Sequence, residues 1–502
     1  MKSIAKTKTG IGGLDEITFG GLPKGRPTLI CGGPGCGKTL LAMEFIVRGI
    51  DLYNEPGVFM SFEEKSAELT TNVTSLGFDL DKLQKEKKLK LDYVHVDKSE
   101  IEETGEYDLE GLFIRIGHAI DSIGAKRIVL DTIENLFLGL DNQGLLRAEL
   151  RRLFQWLKEK NVTAIITGEK GDGALTRNGL EEYVSDCVIL LDHRIVGQVS
   201  TRRLRIIKYR GSTHGTNEYP FMIDEEGISV LPITSLKLDR NVSSQRVSTG
   251  IPTLDKMFGG KGFFRGSGIL ISGTAGTGKT SIAASFAAET CRRKERCTYF
   301  AFEESPLQIV RNMKSIGLDL DQYVKKGLLE FHAFRPGLHG LEMHLTSMYN
   351  LVKKFKPSAV ILDPISNLVA VGLTSEVNSM LLRLLDLLHG EGITVMMTSL
   401  IRNDMVEENV SSLMDSWILV RDVELNGERN RALYVMKSRG MDHSKEVREF
   451  IITSEGLKLI DVYRPEGTVL LGAAREARQK QNGTELAKTR SRRSKTTKMV
   501  KR

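Results

Sequence analysis

Two glycine-rich segments of the chain have the residue types and spacing of loops that bind nucleotide phosphates. Residues 32–39, Gly-Gly-Pro-Gly-Cys-Gly-Lys-Thr, fit the pattern G-x-x-x-x-G-K-[ST], and residues 273–280, Gly-Thr-Ala-Gly-Thr-Gly-Lys-Thr, fit it again. Glycines let successive backbone N–H groups converge on an anion, and the helix that follows adds its positive dipole end. A single match could be a structural turn or a dehydrogenase-like loop, whereas two matches predict two bound nucleoside triphosphates.

Within each loop, the lysine is expected to reach the β- and γ-phosphates and the threonine hydroxyl to bind Mg²⁺. A nucleoside triphosphate and Mg²⁺ are therefore the predicted cofactors. The predicted loop contacts to nucleotide are Gly35, Cys36, Gly37, Lys38, Thr39 and Leu40, and Ala275, Gly276, Thr277, Gly278, Lys279, Thr280 and Ser281.

Acidic residues follow apolar runs at equivalent places in the two halves. Asp131 and Asp363 each end such a run and suit the acid that holds the water shell of Mg²⁺, although an aspartate there could instead cap a helix. Glu63 and Glu303 each begin a Glu-Glu pair, in which one acid could simply cap or pair while the other is solvated. Their recurrence favours a general base at Glu63 and Glu303. The predicted metal-site residues are Thr39, Glu64, Asp131, Thr280, Glu303, Glu304 and Asp363.

Two Lys-x-Arg-Gly segments, at Lys208 to Arg210 and at Lys437 to Arg439, end strand-like stretches far downstream of the loops. Such charges commonly lie at a solvated hairpin end. In P-loop ATPases, however, cations from a neighbouring subunit stabilise the transferring phosphoryl group. That alternative requires an active site between protomers, and therefore a ring or a filament.

Apolar runs that alternate with helical patterns must position these residues. Runs at 28–31, 58–62, 128–131 and 164–167 have counterparts at 269–272, 298–302, 360–363 and 395–399. Continuous apolar strands between helices predict an α/β fold with a mostly parallel, twisted sheet flanked by helices, whose ligands bind at the carboxyl ends of the strands. The predicted domains are residues 1–240 and 241–465, joined within the polar stretch 237–246, followed by a basic tail, 466–502.

Charge and composition narrow the functional class. The net charge is +7, yet eleven Lys and Arg and two Glu from Arg475 onward contribute +9, which leaves −2 for the remainder. The tail lacks apolar periodicity and is predicted to be disordered. Five cysteines without a C-x-x-C pair suit a reducing cytoplasm. No signal peptide and no membrane span is expected, because no apolar run approaches about 20 residues.

The residues quoted above resemble those of the RecA-like ATPases and, within them, the KaiC family, the central component of the cyanobacterial circadian clock. The resemblance covers residues 7–465 and rests on the duplicated loops, the doubled Phe-Glu-Glu, Ile-Lys-Tyr-Arg-Gly-Ser-Thr-His at 207–214, and Glu-Tyr-Pro-Phe at 218–221. It implies tandem RecA-like P-loop domains in a double-layered homohexameric ring, and it implies that the nucleotide is ATP, bound between neighbours. It also implies slow ATP hydrolysis in the first domain and a serine/threonine autokinase with autophosphatase activity in the second. A KaiB-like partner protein is compatible with it.

The resemblance also implies roles for further residues. Ser411 and Ser412 align with the adjacent serine and threonine phosphoacceptors of the family, so a second serine stands where the family has threonine. Without the family match, two serines could simply begin a helix. Cys36 stands where the second loop has Thr277, and the thiol is either redox-sensitive or buried and inert. The further nucleotide contacts that the resemblance implies are Ser75, Tyr209, Ser212, His214 and Glu225 in the first domain and Arg431, Lys437, Ser438 and Arg439 in the second.

Two other function classes compete with an autophosphorylating ATPase that acts as a timing or signalling hub. RecA-like rings often act on DNA, and the tail is basic; the near-neutral body and the lack of an aromatic and basic stripe leave only weak, salt-sensitive nucleic-acid binding by the tail. Alternatively, retained ATP sites could serve assembly alone, as an interaction platform with little catalysis. DNA-stimulated ATPase activity would identify the motor, and turnover insensitive to Glu63→Gln and Glu303→Gln would identify the platform.

Overall fold

The apolar runs of the sequence form the inner strands of two similar α/β units in a computed structural model of the chain, Met1–Ser235 and Leu236–Arg502. The structure describes residues 4–94, 110–137, 143–171, 175–176, 179, 184–196, 199–232, 243–401, 410–425 and 428–461.

The first unit alternates strands with helices up to its last four strands. Its strands are β1 (Lys6–Thr7), β2 (Leu22–Pro23), β3 (Pro27–Gly32), β4 (Gly57–Ser61), β5 (Leu89–Tyr93), β6 (Arg127–Asp131), β7 (Thr163–Glu169), β8 (Cys187–Val196), β9 (Val199–Tyr209), β10 (Glu218–Asp224) and β11 (Gly227–Val230). Its helices are α1 (Leu14–Ile17), α2 (Lys38–Tyr53), α3 (Ser66–Thr74), α4 (Leu80–Lys85), α5 (Glu110–Ile123) and α6 (Gln143–Glu159), with a 3₁₀ turn at Ile133–Phe137.

The second unit repeats this order of elements. Its strands are β12 (Arg246–Val247), β13 (Phe263–Phe264), β14 (Gly268–Gly273), β15 (Cys297–Ala301), β16 (Leu329–Ala333), β17 (Ala359–Asp363), β18 (Thr394–Leu400), β19 (Ser416–Leu425), β20 (Glu428–Ser438), β21 (Arg448–Thr453) and β22 (Gly456–Asp461). Its helices are α7 (Pro252–Met257), α8 (Lys279–Arg292), α9 (Pro306–Lys314), α10 (Asp321–Lys325), α11 (Leu341–Phe355) and α12 (Thr374–Gly390), with 3₁₀ turns at Pro336–Leu338 and Ile365–Ala370.

Each unit is built on one large mixed sheet, with nine strands among the described residues. The strand order is β11-β10-β9-β8-β3-β7-β6-β4-β5 in the first unit and β16-β15-β17-β18-β14-β19-β20-β21-β22 in the second, which is the same order in reverse listing. The strands from β8 to β5 pair in parallel, and β9, β10 and β11 extend the sheet in antiparallel fashion. The prediction of two mostly parallel sheets covered by helices is confirmed.

Alternate residues of each inner strand face opposite sides of the sheet, and both sides are apolar. In β3, Ile30 packs in a core with α2, whereas Leu29 and Cys31 pack in a separate core with α5 and α6. Burial on both faces explains why the inner strands are continuous apolar runs rather than alternating ones. Helices therefore cover both faces, and the ends of the strands are left for polar chemistry.

Two predicted segments lie outside the described residues: the basic tail, 466–502, and most of the boundary stretch, 237–246. Both stay predictions. Among the helices of the described residues, none is both long enough and apolar enough to span a lipid bilayer.

Candidate nucleotide sites

The first phosphate loop connects the end of β3 to the start of α2. Gly37 lies immediately before the helix with φ +100°, and a Cβ built there would come within 2.9 Å of Ile223 Cδ1. The position therefore requires glycine for its backbone angle and for its space. The Lys38 ammonium is buried and donates to the carbonyls of Gly32 (2.9 Å) and Gly33 (3.1 Å).

The second loop, between β14 and α8, has the same geometry. Gly278 has φ +94°, and Lys279 Nζ donates to the carbonyls of Gly273 (2.9 Å) and Thr274 (2.7 Å). Thr277 Oγ1 closes the loop by donating to the Thr274 carbonyl at 2.9 Å. Cys36 takes that place in the first loop, where burial raises the pKa of its thiol. A buried thiol held in its neutral form favours the inert alternative over a redox-sensitive loop.

The residues of both loops fit a polyphosphate. Cβ atoms built on Gly35 and Gly276 would meet no heavy atom within 4 Å, so the loops present an open face. Beside the second loop lies a cleft of about 330 Å³, a size suited to a small ligand. Its lining includes Lys279, Thr280 and Ser281 from the loop side, and Glu303, Glu304 and Asp363 opposite them.

The aspartate at the end of β6 lies beside the first loop. Asp131 accepts hydrogen bonds from the hydroxyls of Thr167 and Thr39, the threonine predicted to bind Mg²⁺. Burial raises the pKa of the Asp131 carboxyl, and the nearby charge of Glu63 adds to this effect, while the two hydroxyls oppose it. The equivalent Asp363 ends β17, where Tyr299 and Thr398 donate to it.

These residues fit a metal ion that arrives with the nucleotide. Within the described part of the chain, no group of three His, Cys, Asp or Glu side chains could hold a metal by itself. A P-loop site needs less from the protein, because phosphate oxygens and water complete the coordination of Mg²⁺. Thr39 with Asp131, and Thr280 with Asp363, would hold the ion in the two units.

The glutamate pairs directly follow β4 and β15, after Phe62 and Phe302. In the first unit, Ser61 Oγ accepts from the backbone N–H of Glu63 (3.3 Å) and Glu64 (3.0 Å). Thr132 Oγ1 lies 3.5 Å from Glu63 Oε2, which links this glutamate to the residue after Asp131. The side chains of Glu63 and Glu303 are exposed, as a base that must meet a substrate requires.

The second acid of each pair is held by an asparagine. Asn72 Nδ2 donates to Glu64 Oε2, and Asn312 Nδ2 donates to Glu304 Oε2, both at 3.1 Å. Burial raises the pKa of Glu304, the negative charge of Asp363 raises it further, and the hydrogen bond from Asn312 offsets part of the effect. A glutamate whose pKa is raised by burial and by a neighbouring acid, beside a phosphate loop, is typical of a functional site.

Asp131→Asn is expected to stabilise the ligand-free protein at pH 7, by about 1 kcal/mol, because it removes a buried charge but keeps an acceptor for Thr167. Folding raises the pKa of Asp131, so this residue contributes fully to the free energy of unfolding at a pH below its unfolded-state pKa of about 3.9. That contribution is lost as the pH rises through the pKa of Asp131 in the folded state. The gain should therefore vanish near pH 3.5. Urea unfolding followed by Trp156 fluorescence in a Trp417→Phe background measures it.

The matched control for this experiment is Asp121→Asn, because the Asp121 side chain is 69% exposed and pairs with Lys160 at 3.4 Å. It should change the free energy of unfolding little at any pH. A destabilised Asp131→Asn protein at pH 7 would contradict the prediction, since it would mean that the hydroxyl donors outweigh the cost of burying the carboxylate.

The Lys-x-Arg-Gly segment of the first unit lies at the end of the sheet opposite to its own phosphate loop. β8 runs parallel to β3, with Cys187 opposite Thr28, and antiparallel β9 places Tyr209 opposite Cys187. Lys208 and Tyr209 are therefore level with the start of β3, whereas the loop leaves β3 at Gly32. The separation along the strand is about 13 Å at 3.3 Å per residue.

The neighbours of this segment keep it in place. Tyr209 is buried and donates to the Gly21 carbonyl at 2.8 Å, and its ring stacks on that of His214. Arg210 is exposed and lies 4.0 Å from Asp186. Ser212 Oγ donates to the Thr213 carbonyl at 2.8 Å.

Two other predicted contacts of the first unit lie elsewhere. Ser75 is the exposed residue directly after α3, and Glu225 lies in the exposed turn between β10 and β11. Of the predicted first-unit contacts, Lys208, Tyr209, Arg210, Ser212 and His214 thus form one group at the start of the parallel strands.

The predicted contacts of the second unit divide between the two ends of its sheet. Ser416 lies opposite Ile269 at the start of β14, and β20 places Ser438 opposite Ser416, so Lys437 and Ser438 are at that end. Arg431 lies farther along, and its Nε donates to the carbonyl of Gly276 in the unit's own loop at 3.3 Å. The structure therefore brings Arg431 to the loop and keeps Lys437 to Arg439 away from it.

The predicted phosphoacceptors, Ser411 and Ser412, lie beside the cations at the end of the sheet away from the phosphate loop. Lys437 Nζ donates to the Ser411 carbonyl at 2.9 Å, and Arg439 Nη2 donates to the Ser412 carbonyl at 2.7 Å. Ser411 is buried and Ser412 is exposed in one helical turn just before β19. The two serines consequently lie at the start of the parallel strands, across the sheet from Lys279.

Sequence reasoning missed a group of cations beside Arg210. Arg147, Arg151 and Lys158 on one face of α6 line a cavity of about 490 Å³ together with Arg210. Asp186 pairs with Lys158 at 2.6 Å, so among the described residues here four cations stand against this acid. The positions 147, 151 and 158 recur at helical spacing, which is the signal that could have revealed them.

Comparison with known proteins gives the same assignment over both units. A family model described as "ATPase: KaiC" matches residues 7–235 and 247–464. The circadian clock protein KaiC2 of Synechocystis sp. is 58% identical over 479 residues, which cover 94% of this chain and 84% of the relative.

Circadian clock oscillator proteins named KaiC are similar over the same length. The protein of Parathermosynechococcus lividus is 39% identical, covering 94% of this chain and 88% of the relative. That of Synechococcus elongatus is 36% identical, covering 94% and 92%. Since the family model spans both units and these relatives are covered almost end to end, this chain belongs to the KaiC family of ATP-binding, RecA-like P-loop ATPases.

Proposed function

We propose that this chain hydrolyses ATP in its first unit and, in its second unit, transfers the γ-phosphoryl group of ATP to Ser411 and Ser412 and later removes it. The observation that carries the proposal is the grouping of both serines with Lys437 and Arg439. Cations bonded to the backbone carbonyls of the acceptor serines suit phosphoryl transfer to those residues, because they offset the charge of the transferring group and of the phosphoserine formed.

The donor in this proposal is the phosphate loop of a second copy of the chain. Ser411 and Ser412 lie at the opposite end of the sheet from Lys279, so an ATP bound in the same unit is out of their reach. A head-to-tail contact between copies would bring the loop of one copy to the serines of the next. Such a contact, repeated, gives a closed ring or an open filament, and we propose the homohexameric double ring that the family resemblance implies.

The residues of the second unit then have distinct roles. Glu303 takes the proton of the serine hydroxyl while Oγ forms a bond to the γ-phosphorus and the bond to the β–γ bridging oxygen breaks, leaving ADP. Lys279 binds the β- and γ-phosphates, and Thr280 and Asp363 hold the metal ion. Mg²⁺, when bound, offsets the negative charge of the phosphates.

The first unit has the same parts except the serine pair. Glu63 would deprotonate water, and Lys208, Arg210 and the cations of the α6 face would approach the phosphates bound to a neighbouring copy. Hydrolysis rather than transfer then follows, because water takes the place of the serine hydroxyl.

The relatives' names suggest the biological setting. Because the similar proteins are named as circadian clock proteins, we propose that phosphorylation of this chain serves timing or signalling in the cytoplasm, with a KaiB-like protein as a candidate partner. A chain whose extent of serine phosphorylation depends on its own ATP turnover is suited to such a role.

Incubation of the full chain with ATP and Mg²⁺ is expected to phosphorylate Ser411 and Ser412, and phosphopeptide mass spectrometry measures the occupancy at each. A Ser411→Ala/Ser412→Ala chain should lose at least about nine-tenths of the incorporated phosphate, since it lacks both hydroxyls that Lys437 and Arg439 accompany. Ser315→Ala, which removes an exposed serine at the end of α9, is the matched control. Phosphate that persists in the double variant, or none in the parent chain, would contradict the kinase proposal.

A further inference from the structure

A buried tyrosine holds the metal-site aspartate of the second unit. Tyr299 lies on β15, is fully buried, and its hydroxyl donates to Asp363 Oδ2 at 2.5 Å. Thr398 Oγ1 on β18 donates to the other carboxylate oxygen, Asp363 Oδ1. Since β17 lies between β15 and β18, the carboxylate is held from the strands on both of its sides.

The first unit lacks this tyrosine. Tyr299 lies opposite Ile361 in its sheet, and the residue at the equivalent register, opposite Val129, is Phe59. The threonine on the other side is present in both units, because Thr167 donates to Asp131 as Thr398 does to Asp363. At this one strand position, the second unit therefore has a tyrosine hydroxyl on the acid where the first unit has only a phenyl ring.

That hydroxyl bears directly on the acid's capacity to bind a cation. A hydrogen bond from a neutral hydroxyl to a carboxylate is short and strong, and it uses electron density that the oxygen would otherwise offer to a metal-bound water. The stabilisation is greatest when the carboxylate has no cation nearby. Donors of this kind therefore oppose cation binding, while they fix the orientation of the carboxylate.

We propose that Tyr299 is a positioning residue that weakens the hold of Asp363 on Mg²⁺, so that the second unit binds the ion less tightly than the first. This inference rests on the proposed metal role of Asp363. It attributes the proposed difference in Mg²⁺ binding to Tyr299. The phosphate loops would not explain such a difference, since both end in Gly-Lys-Thr.

Reciprocal substitutions test the inference. In a full-length Lys38→Ala background, which disables the first loop, Mn²⁺ binding is titrated by electron paramagnetic resonance with saturating adenylyl imidodiphosphate. Tyr299→Phe keeps the ring and removes only the hydroxyl, and it should tighten Mn²⁺ binding about threefold to tenfold. In a Lys279→Ala background, Phe59→Tyr should weaken Mn²⁺ binding to the first unit by a similar factor.

A merely structural tyrosine would lower the melting temperature when its hydroxyl is removed but would leave Mn²⁺ affinity unchanged. Unchanged or weaker Mn²⁺ binding by Tyr299→Phe therefore overturns the inference, whether or not Phe59→Tyr folds. Asp363→Asn separates this failure from that of the proposed function. If Asp363→Asn weakens Mn²⁺ binding and Tyr299→Phe does not tighten it, only the role of Tyr299 is wrong; if Asp363→Asn has no effect, the metal role of Asp363 is wrong as well.

Discussion

Replacing Glu303 by glutamine should slow phosphorylation of Ser411 and Ser412 by about 10²- to 10⁴-fold, the range that a positioned general base contributes. Glutamine keeps the size of the side chain and its hydrogen-bonding capacity but cannot accept a proton at neutral pH. Glu303 lines the same cleft as Lys279, Thr280 and Asp363, so the substitution acts where the phosphates would bind. Rapid-quench incorporation of phosphate from radiolabelled ATP measures the rate.

The equivalent substitution in the first unit is the matched control. Glu63→Gln should reduce the steady-state release of inorganic phosphate and leave the single-turnover labelling of the serines intact. ATP affinity, measured with a fluorescent analogue, should change little in either variant, because the glutamates follow β4 and β15 and are not part of the phosphate loops. If the parent chain has little turnover and neither variant lowers it, the chain is an ATP-dependent interaction platform rather than a catalyst.

Mixing two inactive chains should restore phosphorylation, because donor and acceptor belong to different copies. A Lys279→Ala chain keeps its serines but lacks a working second loop, and a Ser411→Ala/Ser412→Ala chain has the loop but lacks the acceptors. Each alone should show almost no phosphoserine. An equal mixture should reach about a quarter of the parent signal, since half of the chains carry acceptors and half of their neighbours carry a working loop.

The label should appear on the Lys279→Ala chain, which a size tag separates from its partner before mass spectrometry. Co-purification through a second tag first establishes that the two chains exchange into one assembly. A mixture that exchanges yet stays unlabelled, while the parent chain is labelled, would refute transfer between copies. Phosphoserine on the Lys279→Ala chain alone would show that Lys279 is dispensable.

Much of the fold follows from local patterns. The runs at 28–31 and 269–272 became β3 and β14, because strands buried on both faces must be apolar throughout. The phosphate loops were recognisable for the same kind of reason. The lysine, the threonine and the glycines of each loop are close together in the sequence, so their spacing along the chain largely determines their relative positions in space.

Other features depended on pairing between distant segments. Asp363 was predicted from its place at a strand end, but its contact with Tyr299 joins residues 64 apart in the sequence on neighbouring strands. In an apolar run of the sequence, a tyrosine looks like one more core aromatic residue, just as a phenylalanine would. Only the register of β15 on β17 turns its hydroxyl into part of the site.

The chain's residues by themselves determined two phosphate-binding loops, the acids that follow the inner strands, and the doubled parallel architecture, because each is a property of a short contiguous segment. The tertiary structure alone decided that Lys437 and the two serines lie across the sheet from Lys279, while Arg431, on the same strand as Lys437, meets the loop. The physical reason is strand direction: β20 runs antiparallel to β19, so six residues of extended chain carry its side chains from one end of the sheet toward the other.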